Sequence, residues 1–114
     1  MLISIINRAR RENVALQETN NIEFLNIQND NILAYYKQSP DGKNKFICLV
    51  NLDPHKKQWG MLQTPLDKIG KAEGETFIVH DLLNDARYEW NKKWNYVELD
   101  PAILPCHLFR IEEV

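Results

Sequence analysis

The sequence predicts a mainly β domain: an antiparallel β-sandwich of about eight strands, preceded by one N-terminal α-helix. Three observations predict it. Only the first segment spaces its apolar residues at three-to-four intervals. Beyond it, clusters of Asn, Asp, Pro and Gly bound short runs rich in β-branched and aromatic residues. The chain has 114 residues, 44% of them apolar, with only 4 Gly and 5 Pro, which suits one ordered domain able to bury a core without disulfides or metals.

The helix is expected over residues 2–16, with Leu2, Ile5, Ile6, Ala9 and Asn13 on one side and Arg8, Arg11 and Glu12 largely opposite. The polar stretch Gln17-Glu18-Thr19-Asn20-Asn21 stops it and opens a turn. Strands are expected at 22–27, 32–38, 45–52, 58–63, 76–81, 87–90, 96–99 and 106–111. Alternation over 32–37 puts Ile32, Ala34 and Tyr36 on one face and Leu33, Tyr35 and Lys37 on the other, so this strand is covered on both sides for part of its length and lies centrally. The run Phe46-Ile47-Cys48-Leu49-Val50 is apolar at every position, which predicts burial on both faces, with the helix as the expected cover of the second face. Pro40-Asp41-Gly42 marks a hairpin loop between these two strands. One helical turn fits 65–70, with Leu66 and Ile69 facing inward and Gly70 ending it.

Charge and size exclude several functions. With 14 Lys+Arg against 16 Asp+Glu the net charge is −2, so no positive field attracts phosphate backbones and nucleic acid is not an expected partner. Arg8, Arg10 and Arg11 read as a solvated helix face. No apolar run reaches the roughly 18 residues of a membrane helix, and the opening Met1-Leu2-Ile3-Ser4-Ile5-Ile6 lacks the basic start of a signal peptide. The two cysteines, Cys48 and Cys106, read as free thiols packed as small apolar side chains, which suits a reducing compartment and predicts a cytoplasmic protein. The chain is also too short for a (β/α)₈ barrel of about 250 residues.

No catalytic, metal or cofactor site is expected. The potential ligands Cys48, Asp53, His55, His80, Asp81, Cys106 and His107 are scattered, without CxxC or HxxxH spacing. His80-Asp81 and Cys106-His107 are adjacent in strands and so point to opposite faces. Cys48 lies in an apolar run with nothing to lower its pKa, and no P-loop or GxGxxG is present. Among the carboxylates, Asp53 and Asp100 precede prolines and Asp81 ends an apolar strand, all positions where Asp caps a turn; Glu98 completes the set that glycoside chemistry could draw on. The aromatic residues carry more information. Trp90 and Tyr96 are expected in the core, whereas Trp59 and Trp94 are expected to be exposed and are the candidates for stacking against sugar faces.

Particular phrases then combine. The segment Ile6-Asn7-Arg8-Ala9-Arg10-Arg11-Glu12-Asn13-Val14-Ala15-Leu16-Gln17 resembles the last barrel helix of α-amylase-superfamily enzymes. Val50-Asn51-Leu52-Asp53-Pro54-His55, Val79-His80-Asp81-Leu82-Leu83, Tyr88-x-Trp90, Asn95-Tyr96-Val97-Glu98-Leu99-Asp100-Pro101 and Pro105-Cys106-His107-Leu108-Phe109-Arg110-Ile111 resemble that superfamily's C-terminal β-domain, nearest to the α-1,4-glucan:maltose-1-phosphate maltosyltransferases. One departure is local: Asn84-Asp85 stands where relatives carry Thr-Gly, and both residues tolerate the left-handed backbone such a turn needs. The resemblance implies that residues 1–18 are the terminal helix of an absent catalytic barrel and 19–114 the C-terminal β-sandwich. The barrel's catalytic motifs are absent here, so no residue inherits a catalytic role. It implies a non-catalytic domain that packs on and stabilises the barrel of a transferase or hydrolase through a seam of Leu2, Ile5, Ile6 and Ala9. In isolation that seam is expected to be exposed or to self-associate. The alternative is a carbohydrate-binding module that stacks α-glucan on Trp59 and Trp94.

Overall fold

The computed structural model of the protein describes residues 2–17 and 21–112, with helical side chains from Ser4 onward. Helix α1, Leu2–Glu12, stops short of the expected residue 16. Asn13 is extended (φ −131°, ψ 112°), and a separate 3₁₀ turn, Val14–Leu16, follows. The last carbonyls of a helix have no partner within it. Here side chains supply the donors: the Asn13 amide reaches the Ala9 carbonyl at 2.9 Å and the Gln17 amide the Arg10 carbonyl at 3.0 Å. The polar turn expected after the helix falls partly on residues 18–20, outside the described residues.

Eight strands follow among the described residues: β1 Glu23–Phe24, β2 Ile32–Gln38, β3 Lys45–Asn51, β4 Gln58–Gln63, β5 Phe77–Asp81, β6 Ala86–Trp90, β7 Trp94–Leu99 and β8 Cys106–Glu112, with a short helix α2, Leu66–Ile69, between β4 and β5. All pairings are antiparallel. A six-stranded sheet in the order β1-β2-β3-β8-β5-β6 is faced by the pair β4-β7, the expected helix followed by a sandwich. Ser39 N–H and the Asn44 carbonyl close the β2–β3 hairpin at 2.9 Å around Pro40-Asp41-Gly42. Gly70 takes φ 82° where α2 ends, and Ile69 of that helix is buried, as the sequence predicts. Asp85, the only described non-glycine residue at positive φ (59°), shows that Asn84-Asp85 keeps the left-handed turn.

The first strand is much shorter than 22–27 because the chain changes sheets. Leu25 N–H still bonds Ala34 of β2, but Ile27 bridges Leu62 of β4, and Gln28 N–H bonds the Met61 carbonyl at 3.0 Å. This crossing closes one edge of the sandwich. It also explains Gly60: a Cβ there would meet the Gln28 carbonyl oxygen at 3.1 Å.

The main core lies between the sheets, where alternate residues of β2, β3, β5 and β8 (Ile32, Ala34, Tyr36, Ile47, Leu49, Phe77, Val79, Phe109) meet Leu62, Val97 and Leu99 of the small sheet. The other face of β3 is buried too, as its unbroken apolar run predicts. Its cover is the 3₁₀ turn rather than α1: fully buried Ala15 sits on Phe46 and Cys48, flanked by Leu16, Tyr35, Leu82 and Leu108. The break at Asn13 is what frees this turn to lie on the sheet. Asn44 holds it there, accepting from Ala15 N–H at 2.9 Å and donating to the Asn13 side-chain oxygen at 3.1 Å.

Candidate functional site

Two surfaces carry the residues singled out above. The first is the outer face of the large sheet with α1 beside it. Register places Leu33 opposite Val50, Tyr35 opposite Cys48, and Cys48 opposite Leu108, so these side chains share the outer face. Leu33, Tyr35, Val50, Leu82 and Leu108 are only half-buried. Along α1, Ala9 is buried and Ile5 and Ile6 are half-buried; the Leu2 side chain lies outside the described residues. Ile5, Ala9 and Asn13 line a groove of about 560 Å³ opposite Leu82, Leu83 and His80. His80, 6% exposed, lies between two carboxylates, its Nε2 at 2.7 Å from Asp85 and its Nδ1 at 3.2 Å from Glu112. Its side-chain bond is what chiefly holds the Asp85 carboxyl below the usual range. Burial raises Glu112, but Arg110 at 2.8 Å and His80 outweigh it, so that carboxyl is also lowered.

The second surface is the edge of the sandwich opposite the crossing segment. Two strands cannot span a face six strands wide at roughly 4.8 Å per strand, so the small sheet leaves part of the large one uncovered. A cleft of about 210 Å³ remains, walled by Tyr88, Trp90 and Phe109 from the large sheet, by Tyr96 and Glu98 of β7, and by His107. Phe109 organises the rings: His107 stacks on it at 5.0 Å, while Trp90 and Tyr88 meet it edge-on at 5.5 and 6.2 Å. His107 also links the sheets. Its Nδ1 lies 2.7 Å from the fully buried Asp81 carboxylate, and its Nε2 lies 2.9 Å from the Glu98 carbonyl. The Glu98 carbonyl can only accept, so Nε2 donates to it, and a carboxylate at Nδ1 favours a second ring proton there, the imidazolium form. Burial works against that charge, but the Asp81 and Glu98 hydrogen bonds outweigh it and raise the His107 pKa above the ordinary 6.5.

Comparison with known proteins places this architecture. Residues 24–111 match the family model described as GLGE, C-terminal. The chain belongs to the GLGE C-terminal family. Named relatives of this family member are α-1,4-glucan:maltose-1-phosphate maltosyltransferases: the one from Chlorobaculum tepidum is 43% identical over 96% of this chain, and the one from Salinibacter ruber 42% identical over 94%. The chain spans only about one-sixth of their lengths, 17% and 16%. Among solved structures, an Anoxybacillus α-amylase superposes on 99% of the chain and 22% of its own, with a TM-score of 0.67 at 13% identity. A maltogenic α-amylase from Thermotoga neapolitana superposes on 99% of the chain and 25% of its own, with a TM-score of 0.66 at 12% identity. At these identities the superpositions describe the fold.

The GLGE C-terminal chain exposes Trp59 (55%) and Trp94 (36%) as expected. Both project from the outward face of β4-β7, at opposite ends, because Trp59 pairs with Glu98 and Trp94 with Gln63. Tyr96 is a correction. Expected in the core, it is 55% exposed, because Val97 and Leu99 take the inward positions of β7 and strict alternation sends Tyr96 and Glu98 outward. Trp90 packs against the core, edge-on to Phe77 at 6.4 Å. The three aspartates serve turns: Asp53 accepts from His55 N–H at 2.9 Å, Asp100 from Ala102 at 2.9 Å and Asp81 from Leu83 at 3.1 Å. Cys48 and Cys106 are unpaired thiols; burial pushes Cys48 up to about 12 and, with Asp81 nearby, raises Cys106, which suits neither as a nucleophile. Among the described residues no three His, Cys, Asp or Glu side chains converge as metal ligands, and no helix is long and apolar enough to cross a membrane. Sequence reasoning missed the His107–Asp81 pair. Its members are 26 residues apart, and only the β5–β8 pairing brings them together.

Proposed function

We propose that this chain is the C-terminal β-module of a cytoplasmic, α-glucan-acting maltosyltransferase, non-catalytic by itself, which packs on the catalytic domain of the same polypeptide and stabilises it. The observation that carries this reading is the outer face of the large sheet. At its centre it is apolar across β2, β3 and β8, yet the 3₁₀ turn is what covers it there, leaving Leu33, Tyr35, Val50 and Leu108 half-buried, with Ile5 and Ile6 of α1 half-buried beside it. Relatives about six times longer supply the polypeptide that such a face needs. The family match begins at residue 24, beyond α1, which supports residues 1–18 as the last helix of the barrel and 19–114 as the module. The unpaired thiols suit the cytoplasm.

Sedimentation of the isolated chain tests the seam. The wild type is expected to dimerise with increasing concentration, because the half-covered face finds a second copy, and the Ile5→Asp, Ile6→Asp double variant to remain monomeric. A wild-type monomer unaffected by those substitutions would overturn the reading, and maltosyl transfer from maltose 1-phosphate to glycogen by the chain alone would overturn its non-catalytic part.

A second reading rests on the opposite surface. Trp59, Trp94 and Tyr96 stand exposed on the outward face of β4-β7, away from the proposed seam. Rings held on a rigid sheet can stack against the C–H faces of sugars, so α-glucan is the ligand class that suits them.

A further inference from the structure

We propose that the cleft between β6 and β7 is a binding site for one neutral pyranose ring of an α-glucan, with Tyr88 and Tyr96 as its two walls. The proposal rests on the glucan reading above and moves its centre from the exposed tryptophans to this cleft.

The first argument is shape. At about 210 Å³ the cleft has room for one sugar ring, and too little for the several rings of a nucleotide or an extended peptide. Its walls come from rigid strands. Phe109 and Trp90 fix the floor by edge-on contact at 5.5 Å, and His107 stacks on Phe109. Tyr88 and Tyr96 also line it and are 42% and 55% exposed, so neither side chain is fully covered by protein. Small-molecule sites commonly combine such an apolar lining with a few placed polar groups.

The second argument is polarity. A pyranose presents C–H groups on its faces and hydroxyls around its edge, so it needs aromatic walls and hydrogen-bonding groups at the rim. Both are present. The Tyr96 hydroxyl donates to Glu98 at 2.8 Å and keeps its acceptor lone pairs, and Glu98 can accept further bonds. Among the described residues the Tyr88 hydroxyl has no hydrogen-bond partner, leaving both a donor and an acceptor for a ligand.

The third argument is charge. Aromatic walls with a carboxylate also suit a quaternary ammonium ion. Here the carboxylate is already matched, with Lys57 Nζ at 3.1 Å from Glu98. His107 is matched in turn by Asp81 at 2.7 Å. No lining charge is left unpaired, so a neutral ligand is favoured over a cation or a phosphate.

The test is a titration of the ¹⁵N-labelled chain with maltose, following the indole N–H signals of Trp59, Trp90 and Trp94, each assigned by its Trp→Phe variant. Maltose is expected to shift the Trp90 signal saturably at millimolar concentration. Tyr96→Ala is expected to weaken binding at least about tenfold and Tyr88→Phe, which removes only the hydroxyl, several-fold. Trp59→Phe and Trp94→Phe are expected to leave it within about twofold. Shifts confined to Trp59 and Trp94 would overturn the cleft and leave the glucan reading standing. No shift at any indole would end both. A Trp90 shift with tetramethylammonium but not with maltose would make the cleft a cation site and overturn the proposal. Both tyrosines are exposed, so loss of binding is read only from variants whose spectra keep the dispersion of the folded chain.

Discussion

On its inner face the large sheet meets a second sheet; on its outer face it meets one turn of chain. The inner core collects residues from six strands and α2, whereas the outer cluster has three buried members, Ala15, Phe46 and Cys48. The difference shows in what each contact depends on. The inner face is packed by residues of many elements, but the outer face depends on Ala15 packing against Phe46 and on Asn44 holding it there. A surface that is apolar and thinly covered is the one that the proposed packing on a catalytic domain would use.

The comparison breaks most sharply at β3, whose two faces belong to the two cores. Phe46 and Leu49 are both fully buried, outward and inward respectively. Phe46→Ala is expected to cost about 4 kcal/mol and Leu49→Ala about 3 kcal/mol, since both remove buried carbon from sites that can collapse only partly. Urea denaturation of the isolated chain measures both. A cost for Phe46→Ala below about 1 kcal/mol would mean that the turn seals nothing and that the outer face is open.

The next effect concerns how the sheets are held at their open edge. His107→Phe keeps a ring against Phe109 but leaves the fully buried Asp81 carboxylate without its cation, and breaking such a pair costs about 3 kcal/mol. The pH dependence has a definite sign. Because folding raises the His107 pKa, the native state holds this proton more tightly than the unfolded chain. The resulting stabilisation is complete below the ordinary value of 6.5 and is lost as pH rises through the folded pKa. Denaturation midpoints of the wild type should therefore fall above pH 6.5, while those of His107→Phe should lack that step. A wild type whose stability rises across this window would show that another group dominates.

What the sequence could tell follows the same division. Signals within a few residues were legible: the Pro40-Asp41-Gly42 hairpin, the aspartates that cap their own turns, α2 with its terminal Gly70, and the apolar run of β3 that required cover on both sides. Features that depend on distant partners were not. Asn13 continues the helical spacing of α1, yet its side chain is more useful between the Ala9 carbonyl and Asn44, 31 residues away, so the helix breaks there. Residues 22–27 have strand composition, but while Leu25 still bonds β2, Ile27 already pairs with β4 in the other sheet. The cleft was the least legible feature, because it is made of the space that a two-stranded sheet leaves against a six-stranded one. Tyr96 shows the error in miniature: its aromatic character suggested the core, and its place in the alternation of β7 decided otherwise.

The smallest effect belongs to the outward face of β4-β7. If Trp59 and Trp94 serve a ligand and not the fold, each can be replaced at little cost to stability. Thr keeps strand propensity, so Trp59→Thr and Trp94→Thr remove the ring without disfavouring the strand. Each is expected to change unfolding free energy by no more than about 0.5 kcal/mol, the range of substitutions that break no packed contact. A loss above about 1.5 kcal/mol at either position would mean that the ring covers core surface. The face would then be a thin cover like the outer one, and its tryptophans would be unavailable for stacking on sugar.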